Sequence, residues 1–77
     1  MSLKLKNIGN DVIIHKDVFI KNGFKSSVGS HVAIDKGVYC TVQMEVGDYV
    51  HISPYVTIIG GNEASFIAKG FNNIMAG

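Results

Sequence analysis

The chain has 77 residues, of which 47% are hydrophobic, and a formal net charge of +1, which suffices for one globular unit and excludes a second domain. The seven basic residues are all lysines and are balanced by six acids, which excludes the basic stripe that nucleic-acid binding needs. No apolar run approaches the roughly 20 residues of a membrane span, and the N-terminus lacks the apolar core of a signal peptide, so we expect a cytoplasmic protein.

The small size of the chain also limits how it can fold. A domain of this length removes only about 60% of its unfolded surface from water, and it usually needs disulfides, a metal or partner chains. The single cysteine, Cys40, cannot form an internal disulfide. We therefore expect an unusually regular fold, burial shared between subunits, and a chain that is a piece of a longer one.

Residues 1–7 are predicted to form a lead-in, and over residues 8–59 apolar residues recur at every sixth position, with one slip of two residues. The first positions of these hexads are Ile8, Ile14, Ile20 and, after a two-residue slip, Val28, Ile34, Cys40, Val46, Ile52 and Ile58. The fifth positions are Val12, Val18, Phe24, Val32, Val38, Met44, Val50 and Val56. Neither set has a polar member, and the period fits neither an α-helix nor a simple strand.

The hexads predict a short strand at positions five, six and one, whose side chains point inward, outward and inward. Positions two to four carry turn-forming pairs such as Lys36-Gly37 and Pro54-Tyr55, which predict a corner. Three strands and three corners make a triangular coil of about eighteen residues. The predicted fold class is therefore all-β, a parallel β-helix domain over residues 8–77 with regular coils over 8–59.

The register fails after the last regular hexad. Residues 60–66, which begin with Gly60-Gly61, are predicted to form a loop, and residues 67–77 an incomplete final coil. Repeat proteins normally end in a cap that covers the last strand edge, and these residues show no cap. We expect the chain to be truncated.

The cleanest hexads resemble those of the hexapeptide-repeat acyltransferases. They are Ile8-Gly9-Asn10-Asp11-Val12, Val28-Gly29-Ser30-His31-Val32 and Val46-Gly47-Asp48-Tyr49-Val50. The resemblance implies a left-handed coil, an exception to the usual right-handed crossover. It also implies acetyl-CoA as cosubstrate and a homotrimer with active sites between subunits. Residues 46–61 look more like the branch that acetylates sugars or sugar nucleotides, which implies a role in surface polysaccharide biosynthesis.

The sixth positions point outward and stack on three faces of the predicted prism. The first face carries Ile13, Ala33 and His51, the second carries Phe19, Tyr39 and Thr57, and the third carries Lys25, Glu45 and Glu63. The first two faces are rich in apolar or aromatic groups, and the third is charged. This distribution predicts a homotrimer that buries the first and second faces around a threefold axis.

His51 is the candidate catalytic residue. It lies between the inward Val50 and Ile52 and therefore points outward, on a face assigned to an intersubunit cleft. Histidine can act near neutral pH as the general base that deprotonates a hydroxyl or amine attacking a thioester. Two alternatives stay open: His51 is an ordinary surface or interface histidine, or the essential histidine lies in another hexad or beyond Gly77.

Three further residues are candidates for binding the sugar. Tyr49 and Tyr55 lie at corners beside the hexad of His51, and Asn62 follows the glycine pair. The alternative for the two tyrosines is that they cover the edge of the coil. The glycine pair is a weak phosphate signal, and no residue is assigned to coenzyme A.

The remaining histidines and the cysteine have structural interpretations. The stacking predicts that His15 aligns with Asp35 and Ser53, and that His31 aligns with Asp11 and Tyr49, as hydrogen-bonded corner ladders. Because the three histidines share no stack, the sequence predicts no metal site of the kind found in the carbonic anhydrases built on this coil. Cys40 occupies an inward slot, where a small buried residue is expected.

Two functions follow as hypotheses. The first is an acetyltransferase that acylates a sugar hydroxyl or amine, although the 77-residue chain alone is expected to have low activity. The second is a noncatalytic scaffold or trimerisation module. An open His51 Nε2 beside a slot would favour the enzyme, and a covered ring the scaffold. An ice-binding coil would need a threonine ladder, and only Thr57 takes an outward slot.

Overall fold

The computed structural model describes residues 5–21, 23–61, 64–68, 70 and 72–74. These residues form eleven short β-strands and a 3₁₀ helix at Gly23–Lys25, and no α-helix. The strands are β1 (Asn7–Ile8), β2 (Ile13–Ile14), β3 (Phe19–Ile20), β4 (Ser27–Val28), β5 (Ala33–Ile34), β6 (Tyr39–Cys40), β7 (Gln43–Val46), β8 (Val50–Ile52), β9 (Thr57–Ile58), β10 (Ser65–Ala68) and β11 (Asn72–Ile74). In the described part of the chain, no helix is long and apolar enough to cross a membrane.

Strands that are three apart in chain order lie in successive coils and pair in parallel. One sheet has the order β1-β4-β7-β10, the second has β11-β8-β5-β2, and the third has β3-β6-β9. The three sheets form the walls of a triangular solenoid, because each short strand turns at a corner into the next wall. The predicted all-β triangular architecture is confirmed.

The core is a column of aliphatic side chains inside the triangle. Ile34, Met44 and Ile52 are all 0% exposed, and the rest of the buried apolar set packs around them. Each such side chain contributes about 1.5–3 kcal/mol by leaving water. β-Branched residues suit these inward positions because their side chains pack well on a pleated surface and fill the interior of the triangle.

The corners between the walls use a left-handed backbone. Asp11, His31, Tyr49 and Tyr55 all have φ between 55° and 62°, a region that non-glycine residues adopt mainly in turns. Asp11, His31 and Tyr49 repeat at one corner from coil to coil. Tyr55 lies at the next corner, where Gly37, one coil earlier, also has a positive φ of 70°. The sequence predicted corners here but gave no sign of their backbone conformation.

Side chains also connect the coils along one corner. The Asn10 backbone N–H donates to Ser30 Oγ at 3.0 Å, and the Ser30 backbone N–H donates to Asp48 Oδ1 at 2.7 Å. Next to this ladder the backbones approach closely: a Cβ on Gly29 would lie 2.7 Å from the carbonyl carbon of Gly47. Glycine is therefore required at this position for the coils to meet.

The registers confirm two of the three predicted faces. Ile13 pairs with Ala33 and Ala33 with His51 on the first face. On the second face, Phe19 and Tyr39 pair and stack at 5.1 Å between ring centroids, and Tyr39 pairs with Thr57.

The third face differs from the prediction because the two-residue slip falls elsewhere. Phe24, predicted inward, is 64% exposed, and Lys25, predicted on the third face, lies in the 3₁₀ helix with its Nζ 5.7 Å from the Phe24 ring. Ser26 fills the inward slot instead and is 0% exposed. Its Oγ accepts a hydrogen bond from the Met44 backbone N–H at 2.9 Å, which is why a polar residue is tolerated there.

As a result, the third face keeps the predicted Glu45 but has Ser27 in place of Lys25. Asn7 pairs with Ser27, Ser27 with Glu45, and Glu45 with Ile67. Glu63, which was also predicted here, lies outside the described residues. The face is therefore mixed rather than uniformly charged.

A longer insertion precedes the last described coil. β10 starts at Ser65, inside the segment predicted as a loop, and Ala68 pairs with Val46. Ala68 is buried, whereas Ile67 points outward and is 60% exposed. The Ala64 backbone N–H donates to the Gly61 carbonyl at 3.1 Å, which turns the chain back onto the solenoid.

Candidate functional site

His51 is the middle residue of β8 and points outward on the first face. Its neighbours Val50 and Ile52 are 1% and 0% exposed, so the alternation of the strand directs the imidazole away from the core. The residue below it in the sheet is Ala33, whose short side chain leaves the imidazole 44% exposed. The predicted orientation of His51 is confirmed.

A carboxylate lies beside this imidazole. His51 Nε2 is 3.6 Å from Asp35 Oδ2, an ion-pair distance slightly longer than a hydrogen bond. Asp35 comes two residues after Ala33, the partner of His51, and is therefore its diagonal neighbour on the same outer surface. The sequence predicted the pairing of Ala33 with His51 but not this contact, because a diagonal contact depends on side-chain direction as well as on register.

The other oxygen of Asp35 has two partners of its own. The Lys36 backbone N–H donates to Oδ1 at 2.8 Å, and His15 Nε2 lies 3.6 Å from the same atom. The predicted alignment of His15 with Asp35 is confirmed, and Asp35 lies between two imidazoles. We call His15, Asp35 and His51 the corner cluster.

The surroundings of Asp35 favour its ionised form. The Lys36 amide lowers the pKa of this carboxyl most, and the two imidazoles of the corner cluster lower it further, while partial desolvation works in the opposite direction. The carboxylate is 28% exposed, so water screens these contacts in part. The cluster thus presents a negative charge between two groups that can donate protons.

A second histidine ladder lies at the corner that precedes each strand of the first face. His31 Nδ1 is 3.5 Å from Asp11 Oδ2, and the His31 ring stacks on Tyr49 with centroids 4.8 Å apart. The predicted alignment of Asp11, His31 and Tyr49 is confirmed. β8 therefore begins next to Tyr49, which stacks on His31, and ends beside the corner cluster.

The predicted sugar-binding residues lie at different places. Tyr49 packs its ring on His31 and is 48% exposed. Tyr55 is 65% exposed, and its ring covers the backbone of Gly37, where a Cβ would lie 2.6 Å from Tyr55 Cε1. Asn62 lies outside the described residues. Both tyrosines thus flank β8, one at each of its corners.

Cys40 is fully buried, as its inward slot predicted. Its thiol donates to the Val42 carbonyl at 3.1 Å, and burial raises the pKa of the thiol. A raised pKa disfavours the thiolate and hence nucleophilic chemistry. Within the described ranges, no group of three or more His, Cys, Asp or Glu side chains has a geometry that could hold a metal ion.

A groove of about 470 Å³ lies on a different wall from the corner cluster. It runs along the third face between the outward side chains of Asn7, Ser27, Glu45 and Ile67. None of its lining residues belongs to the first face. The acid–base groups and this groove are therefore separate features of the described part of the chain.

The architecture defines the protein as a triangular β-solenoid with an outward histidine–aspartate cluster. Comparisons of the chain with known protein families, with curated proteins and with solved structures found no match. The features of the chain that bear on its function are the chemistry of the corner cluster and the hexad pattern.

Proposed function

We propose that the protein is an acyltransferase that uses acetyl-CoA to acetylate a hydroxyl or amine of a sugar or sugar nucleotide. The observation that carries the proposal is the contact of 3.6 Å between His51 Nε2 and Asp35 Oδ2 on an outward wall of the solenoid. A half-exposed imidazole held by a carboxylate has the arrangement of a general base. The hexads that begin at Ile8, Val28 and Val46 resemble those of acyltransferases, and this resemblance favours acyl transfer as the class of reaction.

The mechanism assigns a separate task to each His51 nitrogen. Asp35 faces Nε2, where a carboxylate stabilises an N–H, so Nδ1 keeps the lone pair. This arrangement differs from the expectation of an open Nε2, because the Asp35 carboxylate lies beside that nitrogen. Nδ1 removes the proton of the acceptor hydroxyl or amine as it attacks the thioester carbonyl. The tetrahedral intermediate then expels the coenzyme A thiolate, which the imidazolium reprotonates.

Asp35 would stabilise the positive charge that develops on His51 during attack. Its carboxylate is ionised at neutral pH, since the Lys36 amide and the imidazoles lower its pKa. A general base of this kind accelerates a reaction by about 10²–10⁴-fold. Positioning of the acceptor and of acetyl-CoA would supply much of the remaining acceleration.

The proposal includes a homotrimer that completes the site. On the first face Ile13 is 61% exposed, and on the second Phe19 and Tyr39 are 40% and 46% exposed. Stacked aromatic rings left in water favour association with another chain. A neighbouring copy on these two faces would form a cleft beside His51. We assign the reaction to the cytoplasm, where acetyl-CoA is available.

The test measures release of coenzyme A by the chain with a panel of amino sugars, neutral sugars and sugar nucleotides. Transfer to one class of acceptor should fall by a factor of about 100 or more in His51→Ala. His31→Ala is the matched control, because it removes an imidazole with the same kind of aspartate partner at the other corner, and it should keep kcat. Transfer that survives His51→Ala unchanged would contradict the assignment of the base.

The alternative is a noncatalytic scaffold that assembles through its walls. The observation that favours it is that all three faces expose large apolar groups, since Ile67 on the third face is 60% exposed in addition to those above. In that case the chain would associate in sedimentation experiments but would transfer acetyl to no acceptor of the panel. Association together with His51-dependent transfer would exclude a purely structural role.

A further inference from the structure

We infer that His15 is a positioning residue that fixes the Asp35 carboxylate in the orientation His51 requires. The inference deepens the proposed function and rests on it for its kinetic part. Its basis is the division of partners between the two carboxylate oxygens. Oδ1 faces His15 Nε2 at 3.6 Å and accepts from the Lys36 N–H at 2.8 Å, whereas Oδ2 faces His51 Nε2 at 3.6 Å.

A carboxylate with a single partner can rotate about its Cβ–Cγ bond, which turns its plane and directs both oxygens away from a neighbouring imidazole. The Lys36 amide alone holds Oδ1 from the main-chain side. His15 adds an electrostatic contact of 3.6 Å to the same oxygen from the preceding coil, so the carboxylate is held from two directions. Partial rotation of the carboxylate would then weaken two contacts at once, so one carboxylate oxygen stays directed at His51.

A backbone hydrogen bond fixes the position of His15 relative to Asp35. Its backbone N–H donates to the Ile34 carbonyl at 3.1 Å, so the residue is held in register one coil before Asp35. The side chain of His15 is 50% exposed and packs at the surface of the corner. It does not contact the acceptor in the proposed reaction, and its effect on catalysis passes through Asp35.

The experiment compares three variants of the chain by NMR and by kinetics. His15→Ala removes the contact with Asp35, His15→Gln replaces the imidazole with a polar amide N–H, and His31→Ala is the matched control at the other corner. Three-bond couplings report the χ1 rotamer populations of the His51 side chain. Because His15 is half exposed, these variants should fold, which circular dichroism verifies.

We expect one dominant His51 rotamer in the parent chain, in His15→Gln and in His31→Ala, and averaged rotamers in His15→Ala. In the transfer assay, kcat should fall about fivefold in His15→Ala with KM unchanged, as expected for one lost polar contact, and recover in His15→Gln. An unaltered His51 rotamer in His15→Ala would overturn the inference. An altered rotamer in a chain that transfers no acetyl group would instead uphold the positioning role and refute the proposed function.

Discussion

Gly29→Ala tests the close approach of consecutive coils. The added Cβ would lie 2.7 Å from the Gly47 carbonyl carbon and 2.9 Å from the Asp48 nitrogen, whereas ordinary contacts begin at 3.4 Å. It would also meet Asp48 Oδ1, the acceptor of the Ser30 N–H bond. Overpacking of this kind costs about 1–3 kcal/mol, and the weakened hydrogen bond adds about 1 kcal/mol.

Part of this cost is offset in the unfolded chain, where alanine has less conformational freedom than glycine by about 0.4–1 kcal/mol. We therefore expect Gly29→Ala to lose about 2 kcal/mol of stability, which lowers Tm by roughly 10 °C in a domain of this size.

The assay is thermal and urea unfolding followed by circular dichroism at one fixed protein concentration, since association shifts apparent stability. Gly61→Ala is the matched control, because a Cβ on Gly61 meets no atom within 4 Å. It should leave stability unchanged or raise it slightly. Equal stability of Gly29→Ala and Gly61→Ala would refute the described approach of the coils.

Three other outcomes are expected. Folding lowers the pKa of Asp35 from 3.8, so the contribution of its carboxylate to stability is present above pH 3.8 and is lost as the pH falls through the folded pKa. Asp35→Asn should therefore flatten this part of an acid unfolding curve. An unchanged curve would argue against the corner cluster. Cys40 should react with a thiol reagent far more slowly in the native chain than in denaturant, because it is buried and its thiol pKa is raised; rapid native labelling would place it at the surface. Ile34→Ala should cost about 2–5 kcal/mol in urea unfolding, whereas Ile59→Ala, at a site 71% exposed, should change stability by less than about 0.5 kcal/mol.

The period of the hydrophobic residues predicted the architecture because the inward slots of the regular coils, apart from that of Ser26, hold apolar side chains. Ile34 and Ile52, for example, are separated by one coil and pair in register. The alternation of such slots also determined which side chains point outward, including that of His51. The hexad period predicted the direction of each side chain because a solenoid repeats the same strand and corner geometry in every coil.

The location of the slip was not predictable from hydrophobicity. Phe24 suits an inward slot better than Ser26 does on any scale, yet Ser26 is the buried residue. The exception depends on a hydrogen bond from the Met44 N–H, a contact between residues of different coils. A polar residue whose partner is distant in sequence looks like an exposed one until the register is known.

The candidate site was predicted in part for a related reason. Stacking by whole coils placed His15 beside Asp35 and His31 beside Tyr49. It did not place Asp35 beside His51, because that contact is diagonal between strands and connects residues that are not register partners. Contacts of this kind depend on side-chain direction as well as on the repeat.

The two insertions show how the solenoid accommodates additional chain. Val28 lies 20 residues after its partner Ile8, and Ala68 lies 22 after Val46, whereas Val46 lies 18 after Val28. The walls keep their parallel pairing in all three cases, so extra residues are absorbed entirely at the corners. A designer could therefore graft a short peptide epitope at the 3₁₀ helix or near Gly61 and expect the walls to remain intact.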